Sequence, residues 1–319
     1  MDAVGTSAAT RRGRLRRFPG RITAVLFMAF VPVAPREAEG MQLDYSGSLG
    51  FTRGDYVFTE PTETFTLTNG LSWHTGRLRL SASIPAILQD TRAITIVGGT
   101  VLPTGGPDHG AVSRRTDGEP IRMGQGRRTG AGGGGMLVIA AQETSPDTVE
   151  GPGDRNLTVG DPLLSGTVEL YSGFDAVRGI DVLLALKPPV AKLEDGVGTG
   201  EWDYGAGLGV TLGAGRLLFM ADATWWRYGD LAELELRDGL AWSATVGVPV
   251  TSRVSALLGV WGAGRVIEGV EAPVALNTTL GIRAGEGRSF LVGGSIGLTE
   301  STAAFSVYAG ARTRLFGVP

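Results

Sequence analysis

Residues 200–213 read GEWDYGAGLGVTLG, and the alternation within this stretch decides the fold. Its apolar positions are Trp202, Tyr204, Ala206, Leu208, Val210 and Leu212. The positions between them are Asp203, Gly205, Gly207, Gly209 and Thr211. Successive side chains of a β-strand point to opposite faces, so this period of two indicates a strand with one apolar and one small, polar face.

The same period-two pattern recurs from about residue 41 to residue 316. Turns rich in glycine or proline separate many of the runs, and we count twelve runs in all. No helix is evident that could cover so many apolar faces. The sequence therefore predicts an all-β fold, namely a closed, transmembrane, antiparallel up-and-down β-barrel of about twelve strands whose outer face contacts lipid.

The lengths of the connections agree with this topology. If the C-terminus lies in the periplasm, the turns near 172–176, 213–215, 250–252 and 285–288 are periplasmic, and all of them are short. The connections at 190–200, 230–236 and 266–273 then lie outside and are mostly longer. Short periplasmic turns and longer outer loops are typical of bacterial barrels.

Residues 85–160 interrupt the pattern. Pro85 is predicted to end the third strand, and two apolar pieces, Ile94–Leu102 and Met136–Ala141, bracket a stretch rich in glycine and arginine. Counting these pieces as wall strands would give fourteen strands and a long periplasmic insert at 103–131. We therefore treat 85–160 as one long extracellular or plug-like insert within a barrel that spans 41–316.

The arginines of this insert make it basic. A solvated, disordered loop is the default expectation for such a composition, whereas contact with anionic lipopolysaccharide or folding into the pore mouth are the alternatives. The arginines are Arg114, Arg115, Arg122, Arg127 and Arg128.

The composition excludes several classes of protein. The net charge of −3 argues against a nucleic-acid partner. The absence of cysteine excludes disulfides and thiolate metal sites, and two histidines, His74 and His109, leave little scope for a histidine metal site. We therefore expect no metal and no cofactor.

The N-terminal segment has the features of an export signal. Six arginines between Arg11 and Arg21 precede the apolar run Ile22–Ala34, which is too short for an ordinary membrane-spanning helix. We interpret residues 1–38 as a signal peptide whose cleavage site is uncertain, and an uncleaved anchor is the alternative. A signal followed by barrel strands predicts the outer membrane of a Gram-negative bacterium.

Three pieces of the sequence carry a resemblance to a known family. They are the run GVGTGEWDYGAGLG at Gly196–Gly209, the strand end K-x-P at Lys187–Pro189, and the strand start G-D-P-L-x-S at Gly160–Ser165. With these pieces the chain resembles an outer-membrane barrel family described as a component of meta-pathway phenol degradation, or simply as a transporter. The resemblance covers about residues 41–316, and it implies the passage of small compounds, aromatic ones among them.

The predicted inner face of the barrel is charged. Acidic residues come from four successive strands, and arginines come from later strands and from the strands that closure brings next to them. One wall would be acidic and the opposite wall basic, which gives a field across the pore that orients polar solutes. An alternative is that these charges pair with one another and fill a narrow barrel. The candidates are Glu169, Asp181, Asp203, Asp222, Arg77, Arg79, Arg253, Arg265, Arg283, Arg312 and Arg314.

Aromatic residues cluster near the strand ends, as expected of two belts at the membrane interfaces. Phe316 is counted with the periplasmic belt, although the parity of Phe305 and Val307 places it on the polar face. A site for an aromatic ligand at Trp226 and Tyr228 is an alternative use of this cluster. The belt residues are Trp73, Trp202, Tyr204, Trp225, Phe290 and Phe316.

Together these patterns predict a porin-like channel or facilitator for passive uptake of small molecules. No nucleophile elbow and no phosphate-binding loop occurs, so we predict no catalytic residue. An outer-membrane enzyme acting on lipid and a closed structural or surface-interaction barrel are the alternatives. The expected partners are the lipid bilayer, lipopolysaccharide, a small-molecule solute and the outer-membrane assembly machinery.

Overall fold

The computed structural model describes residues 40–91, 93–115, 119–124, 148–150 and 155–317. Three features predicted from the sequence lie outside the described residues. They are the signal peptide at 1–38, the arginines Arg127 and Arg128, and the apolar piece Met136–Ala141.

The elements follow one another in a simple order. The chain begins with β1 (Gln42–Gly54), β2 (Thr62–Thr75) and β3 (Leu78–Gln89). Short elements follow: β4 (Thr95–Val97), β5 (Thr100–Leu102), a 3₁₀ turn at Gly106–Asp108, α1 (His109–Ser113), β6 (Arg122–Gly124), β7 (Thr148–Glu150) and β8 (Asn156–Val159). The remaining strands are β9 (Leu163–Ser172), β10 (Val177–Lys187), β11 (Asp203–Ala214), β12 (Leu217–Arg227), β13 (Gly239–Pro249), β14 (Val254–Ala263), β15 (Val274–Arg283), β16 (Arg288–Gly297) and β17 (Phe305–Phe316), with a 3₁₀ turn at Leu193–Asp195 before β11.

Twelve of these strands form a closed wall. β1, β2, β3 and β9 to β17 pair antiparallel with their neighbours in sequence order, and β3 pairs directly with β9 across the insert. The ring closes because β1 pairs with β17 on one edge and with β2 on the other. The prediction of a closed, twelve-stranded, antiparallel barrel is confirmed.

The outer face of the wall is apolar. Side chains such as Leu49, Leu208 and Val307 are 64%, 59% and 52% exposed, respectively. A continuous apolar surface of this kind is unfavourable in water and is the pattern of a barrel that faces lipid. No helix in the described part of the chain is long and apolar enough to cross a membrane.

All the long connections lie at one end of the barrel, which we call the long-loop end. The turns at the other end, the short-turn end, span only residues 76–77, 173–176, 215–216, 250–253 and 284–287. This distribution matches the topology predicted from the sequence. It also places the start of β1 and the end of β17 at the short-turn end.

Pro85 does not end the third strand. β3 continues to Gln89 and pairs there with β8, so residues 85–89 and 156–159 belong to the wall rather than to the insert. The carbonyl of Pro85 accepts a hydrogen bond from the amide of Gly160, at 2.9 Å. The N–H that proline lacks would point the same way, toward the break between β8 and β9, where no ladder bond is lost.

A β-bulge in β17 corrects the predicted orientation of Phe316. The register between β1 and β17 shifts between Leu43 and Asp44, which pair with Phe316 and Arg314. The extra residue, Leu315, moves Phe316 to the outer face opposite Leu43, where it is 48% exposed. Parity along a single strand cannot reveal such a bulge, because the extra residue is defined only by its neighbour.

The described part of the insert forms a packed cap at the long-loop end. Its buried side chains join an apolar cluster with residues from three other long connections and from the top of β12. From the insert these are Ala93, Ile94, Val97, Leu102, Ala111, Val112, Ile121 and Val149; from the rest of the chain they include Val57, Phe58, Trp226, Tyr228, Leu231 and Ile267. The expectation of a solvated loop is therefore wrong for these residues, since their apolar side chains are buried together in one core.

Arg115 was also expected to lie in a solvated loop, and its side chain is instead buried. Its side chain is 2% exposed and forms a bidentate pair with Glu300, at 2.9 and 3.0 Å. It also donates to the carbonyl of Gly269, at 2.8 Å. Arg115 therefore binds the insert to two other loops and is not available to lipopolysaccharide.

Candidate functional site

An acidic row runs across the inner face of four neighbouring strands. Glu169 of β9 pairs with Asp181 of β10, which pairs with Gly209 of β11, which in turn pairs with Asp222 of β12. Asp222 accepts a hydrogen bond of 2.5 Å from the hydroxyl of Ser243 on β13. Three of the predicted lumen acids thus lie at one register level of adjacent strands.

A basic cluster lies at the short-turn end on the other part of the ring. Arg283, Arg312 and Arg314 come from β15 and β17, and a pocket of about 250 Å³ lies between them. Asp44 of β1 accepts hydrogen bonds from Arg312 Nε at 3.1 Å and from Gln42 at 2.8 Å. Asp44 is therefore already paired.

His74 joins this cluster to Arg79 of β3. Arg79 Nε donates to His74 Nδ1 at 3.2 Å, and the guanidinium group of Arg312 lies 3.0 Å from His74 Nε2 on the other side of the ring. That atom faces Asp44 Oδ2 at 3.4 Å. His74 thus lies between charged side chains, and no serine hydroxyl is hydrogen-bonded to it in the described residues.

The two walls do not neutralise each other. Among the described residues, no lysine or arginine nitrogen lies within 4.0 Å of the carboxylates of Glu169, Asp181 or Asp222. The alternative in which lumen acids and arginines pair into a filler thus has no support among these three acids. In the ring, the acidic row lies on β9, β10 and β12, whereas Arg79 lies on β3, Arg283 on β15, and Arg312 and Arg314 on β17.

Three of the predicted arginines lie at the rims instead of in wall strands. Arg77 and Arg253 occupy turns at the short-turn end, and Arg265 follows β14 at the long-loop end. All three are exposed. They contribute to the field at the mouths of the barrel but do not line its middle.

Asp203 has a different environment from the other acids. It is fully buried and lies 3.2 Å from Lys187 Nζ, which also contacts Asp161 at 2.7 Å. Lys187 and Asp161 are 1% and 0% exposed. Asp203 therefore does not face open lumen water, and these three residues form a buried charged triad at the long-loop end.

The two carboxylates of the triad accept hydrogen bonds from backbone amides of the loops, and these bonds hold the loops against the wall. Asp203 accepts hydrogen bonds from Gly98 N and Gly229 N, both at 2.9 Å. Asp161 accepts from Val190 N and Ala191 N, both at 2.7 Å. Every carboxylate oxygen of the triad is thereby satisfied, and the insert, the connection before β11 and the connection after β12 meet at one point.

Sequence reasoning missed Asp161 and Lys187 as site residues. Both lie within the motif pieces at Gly160–Ser165 and Lys187–Pro189, and Asp203 lies within the third piece. The signal was present, because Lys187 is one of only two lysines in the chain and ends an otherwise apolar run. A buried lysine needs carboxylate partners, but their identity depends on strand pairing.

Trp226 and Tyr228 belong to the cap and not to an open ligand site. Their rings stack with centroids 6.1 Å apart, and both residues are buried. The turn between β4 and β5 lies against them, with Gly98 at φ +53°. A Cβ on Gly98 would lie 2.6 Å from Tyr228 Cε1 and 3.0 Å from Trp226 Cδ2, so only glycine fits there.

Burial also changes the acidity of the cap tyrosines. Desolvation raises the pKa of Tyr56 to about 12. Desolvation, together with the nearby charge of Asp203, raises the pKa of Tyr228. Both phenols are therefore neutral at physiological pH.

The outward aromatic residues lie near the two ends of the wall. Trp202, Tyr204 and Trp225 are 44%, 51% and 56% exposed at the long-loop end, and the first two rings stack at 6.3 Å. Phe290 and Phe316 are exposed at the short-turn end, and Trp73 pairs with the outward Leu80 there. This is the placement that two interface belts require.

The other histidine, His109, is buried and contacts the backbone. His109 is 8% exposed, and its Nδ1 lies 3.0 Å from the carbonyl of Gly106. Within the described residues, no group of three or more His, Cys, Asp or Glu side chains is placed to hold a metal ion.

Comparison with known proteins supports the fold alone. No family model and no curated protein matches the chain. Among solved structures, an outer membrane channel from Pseudomonas putida F1 aligns with a TM-score of 0.54 at 11% identity, over 87% of this chain and 96% of that chain. The KdgM porin in complex with disordered oligogalacturonate aligns with a TM-score of 0.40 at 8% identity, over 85% and 98% of the two chains, which is too distant to carry an argument.

Proposed function

We propose that this chain is an outer-membrane channel through which small molecules cross passively. The observation that carries the proposal is the closed wall of twelve strands with an apolar outer face and an inner face on which the acidic row of Glu169, Asp181 and Asp222 has no cationic partner among the described residues. A barrel whose only task was structural would gain nothing from unpaired lumen charges, because they cost free energy unless water or solute reaches them.

The class of solute is part of the proposal. The resemblance of Gly196–Gly209 to a family linked with phenol degradation favours small aromatic or hydrophobic compounds. The pocket of about 250 Å³ at the short-turn end favours small molecules over polymers. We also propose that the bilayer covers the apolar outer face and that the last strand, which ends at Phe316, is presented to the outer-membrane assembly machinery.

The cap supports one competing proposal. A packed apolar cluster over the long-loop end favours a closed barrel whose loops interact with other surfaces. On our account the cap narrows the mouth without sealing it. A lipid-hydrolysing enzyme has weaker support, since neither histidine is hydrogen-bonded to a serine hydroxyl among the described residues.

Liposome swelling distinguishes these proposals. Purified barrel is reconstituted into liposomes, which are diluted into isotonic arabinose or raffinose. We expect swelling in arabinose and slower swelling in raffinose, because a narrow lumen selects by size. Swelling in neither sugar would favour the closed barrel, and release of fatty acid from the liposomes would favour the enzyme.

A further inference from the structure

The arginines at the short-turn end exceed the acids that could pair with them. Arg283, Arg312 and Arg314 line the same pocket, and Asp44 is the single carboxylate of its lining. Arg312 and Gln42 already bind Asp44. Arg288 also lines the pocket, and no described carboxylate lies within 4.0 Å of Arg283, Arg288 or Arg314, which leaves three guanidinium groups uncompensated at this mouth.

Arg314 carries a second sign of an incomplete site. Its Nε–H is shielded from solvent and has no hydrogen-bond partner among the described residues. A buried donor of this kind costs free energy unless a ligand or an ordered water satisfies it. Arg314 lines the pocket of about 250 Å³, so there is open space beside it.

The neighbouring positions are arranged as a basic row. Arg283 pairs with Ser289, which pairs with Arg312, which pairs with Ser46 across β15, β16, β17 and β1. Hydroxyl groups thus alternate with guanidinium groups at one level. Guanidinium groups bind carboxylate and phosphate oxygens through paired, charge-assisted hydrogen bonds, and hydroxyl groups can add further bonds.

We propose that Arg283, Arg312 and Arg314 form a binding subsite for the oxyanion group of a small organic anion, a carboxylate or a phosphate, as it passes the short-turn mouth. The inference deepens the proposed channel function and rests on it for the role of the bound anion as solute. The acidic row at Glu169, Asp181 and Asp222 lies on the other part of the ring and would repel the same group. An anion is therefore held to one side of the lumen.

Direct binding tests the subsite without requiring transport. Benzoate, phenyl phosphate and benzyl alcohol share a ring and differ in the polar group, and each is titrated into the full-length barrel in nonionic detergent by calorimetry. We expect at least one oxyanion to bind about tenfold or more tightly than the alcohol, the difference of one charge-assisted hydrogen bond. The stronger of the two oxyanions identifies the group. Equal binding of all three probes would overturn the inference.

Substitutions locate the binding and test its consequence for conduction. Arg283→Gln combined with Arg314→Gln should lose about tenfold in affinity for the preferred oxyanion. Arg216→Gln, which removes an exposed arginine from a turn outside the pocket, should leave the affinity unchanged. If the double variant fails to fold, the wild-type comparison of benzoate with benzyl alcohol still decides.

Reversal potentials separate the inference from the proposed function. In a KCl gradient across a planar bilayer, we expect the wild type to favour chloride and the double variant to favour it less. Current without any change of preference, together with unchanged affinity in the double variant, would reject the subsite but keep the channel. Tight oxyanion binding without current would reject the channel but keep the subsite.

Discussion

At the scale of single residues, Lys187 is the centre of the long-loop end. Its ammonium group lies between two buried carboxylates, those of Asp161 and Asp203, whose oxygens also accept amides from three loops. Removal of one member of a buried ionic group leaves charge in the interior without compensation. The arrangement therefore depends on all three members.

Lys187→Met tests this dependence. We expect the substitution to lower the free energy of unfolding by about 3–5 kcal/mol, because two buried carboxylates lose their counter-ion. The measurement is urea unfolding in detergent micelles, followed by tryptophan fluorescence. Lys192→Met is the matched control, since Lys192 is 74% exposed and pairs with the exposed Glu194. Equal stability of the two variants would show that the triad contributes little.

Tyr56 gives the cap a dependence on pH. The pKa of its phenol is about 12 in the folded protein, whereas an unperturbed tyrosine titrates near pH 10. Between these values the unfolded chain binds fewer protons than the folded chain, so stability falls as the pH rises from about 10 to 12.

Absorbance at 295 nm measures this titration. We expect a late phase in the native protein that Tyr56→Phe diminishes and that is absent in urea. A native titration with no late phase would mean that the loop containing Tyr56 is open to solvent.

At the scale of elements, the β4–β5 hairpin links the insert to the barrel wall. Its turn places Gly98 against the stacked Trp226 and Tyr228, and the amide of Gly98 donates to Asp203. The hairpin can occupy this position only because Gly98 has no side chain.

Gly98→Val should therefore release the hairpin and widen the mouth. We expect a larger single-channel conductance than in the wild type and faster cleavage of the insert by trypsin, which cuts after arginine. Gly76→Val is the matched control, because Gly76 has a similar φ of +50° but no heavy atom within 4 Å of its Cβ position. If both variants behave alike, backbone strain and not the contact with the aromatic pair explains the effect.

The strands could be predicted from the sequence, whereas the cap could not. Period-two alternation is a local property, and it gave the twelve wall strands and the side of the wall on which most residues lie. The bulge at Leu315 and the continuation of β3 through Pro85 depend on the partner strand. They could therefore not be predicted from the sequence of a single strand. The cap and the triad depend on contacts between residues that are far apart in the sequence, such as Gly98 and Asp203, which are 105 positions apart.

The site was predictable to the same degree. Ring order and parity placed Glu169, Asp181 and Asp222 on one wall and Arg283, Arg312 and Arg314 on the other. Parity also placed Asp203 inward, but it could not show that the cap would cover that residue. The sequence therefore suffices to place residues in the middle of a strand, whereas residues near the loops can be placed only with the structure.

At the scale of the whole molecule, three features act together. The outer face of the wall is apolar, the acidic row lies on its inner face, and the cap packs at the long-loop end. Each feature has a purpose in a channel, whereas a purely structural barrel would need only the first. In the proposed channel, the charges would orient polar solutes and the cap would limit the size of the solutes that pass.

Single-channel recording in a planar bilayer tests the channel most directly. The account predicts discrete current steps for the wild type and larger steps for Gly98→Val, with the folded state of both proteins verified by heat-modifiable mobility on gels. Folded, inserted wild type and Gly98→Val that both carry no current would contradict it.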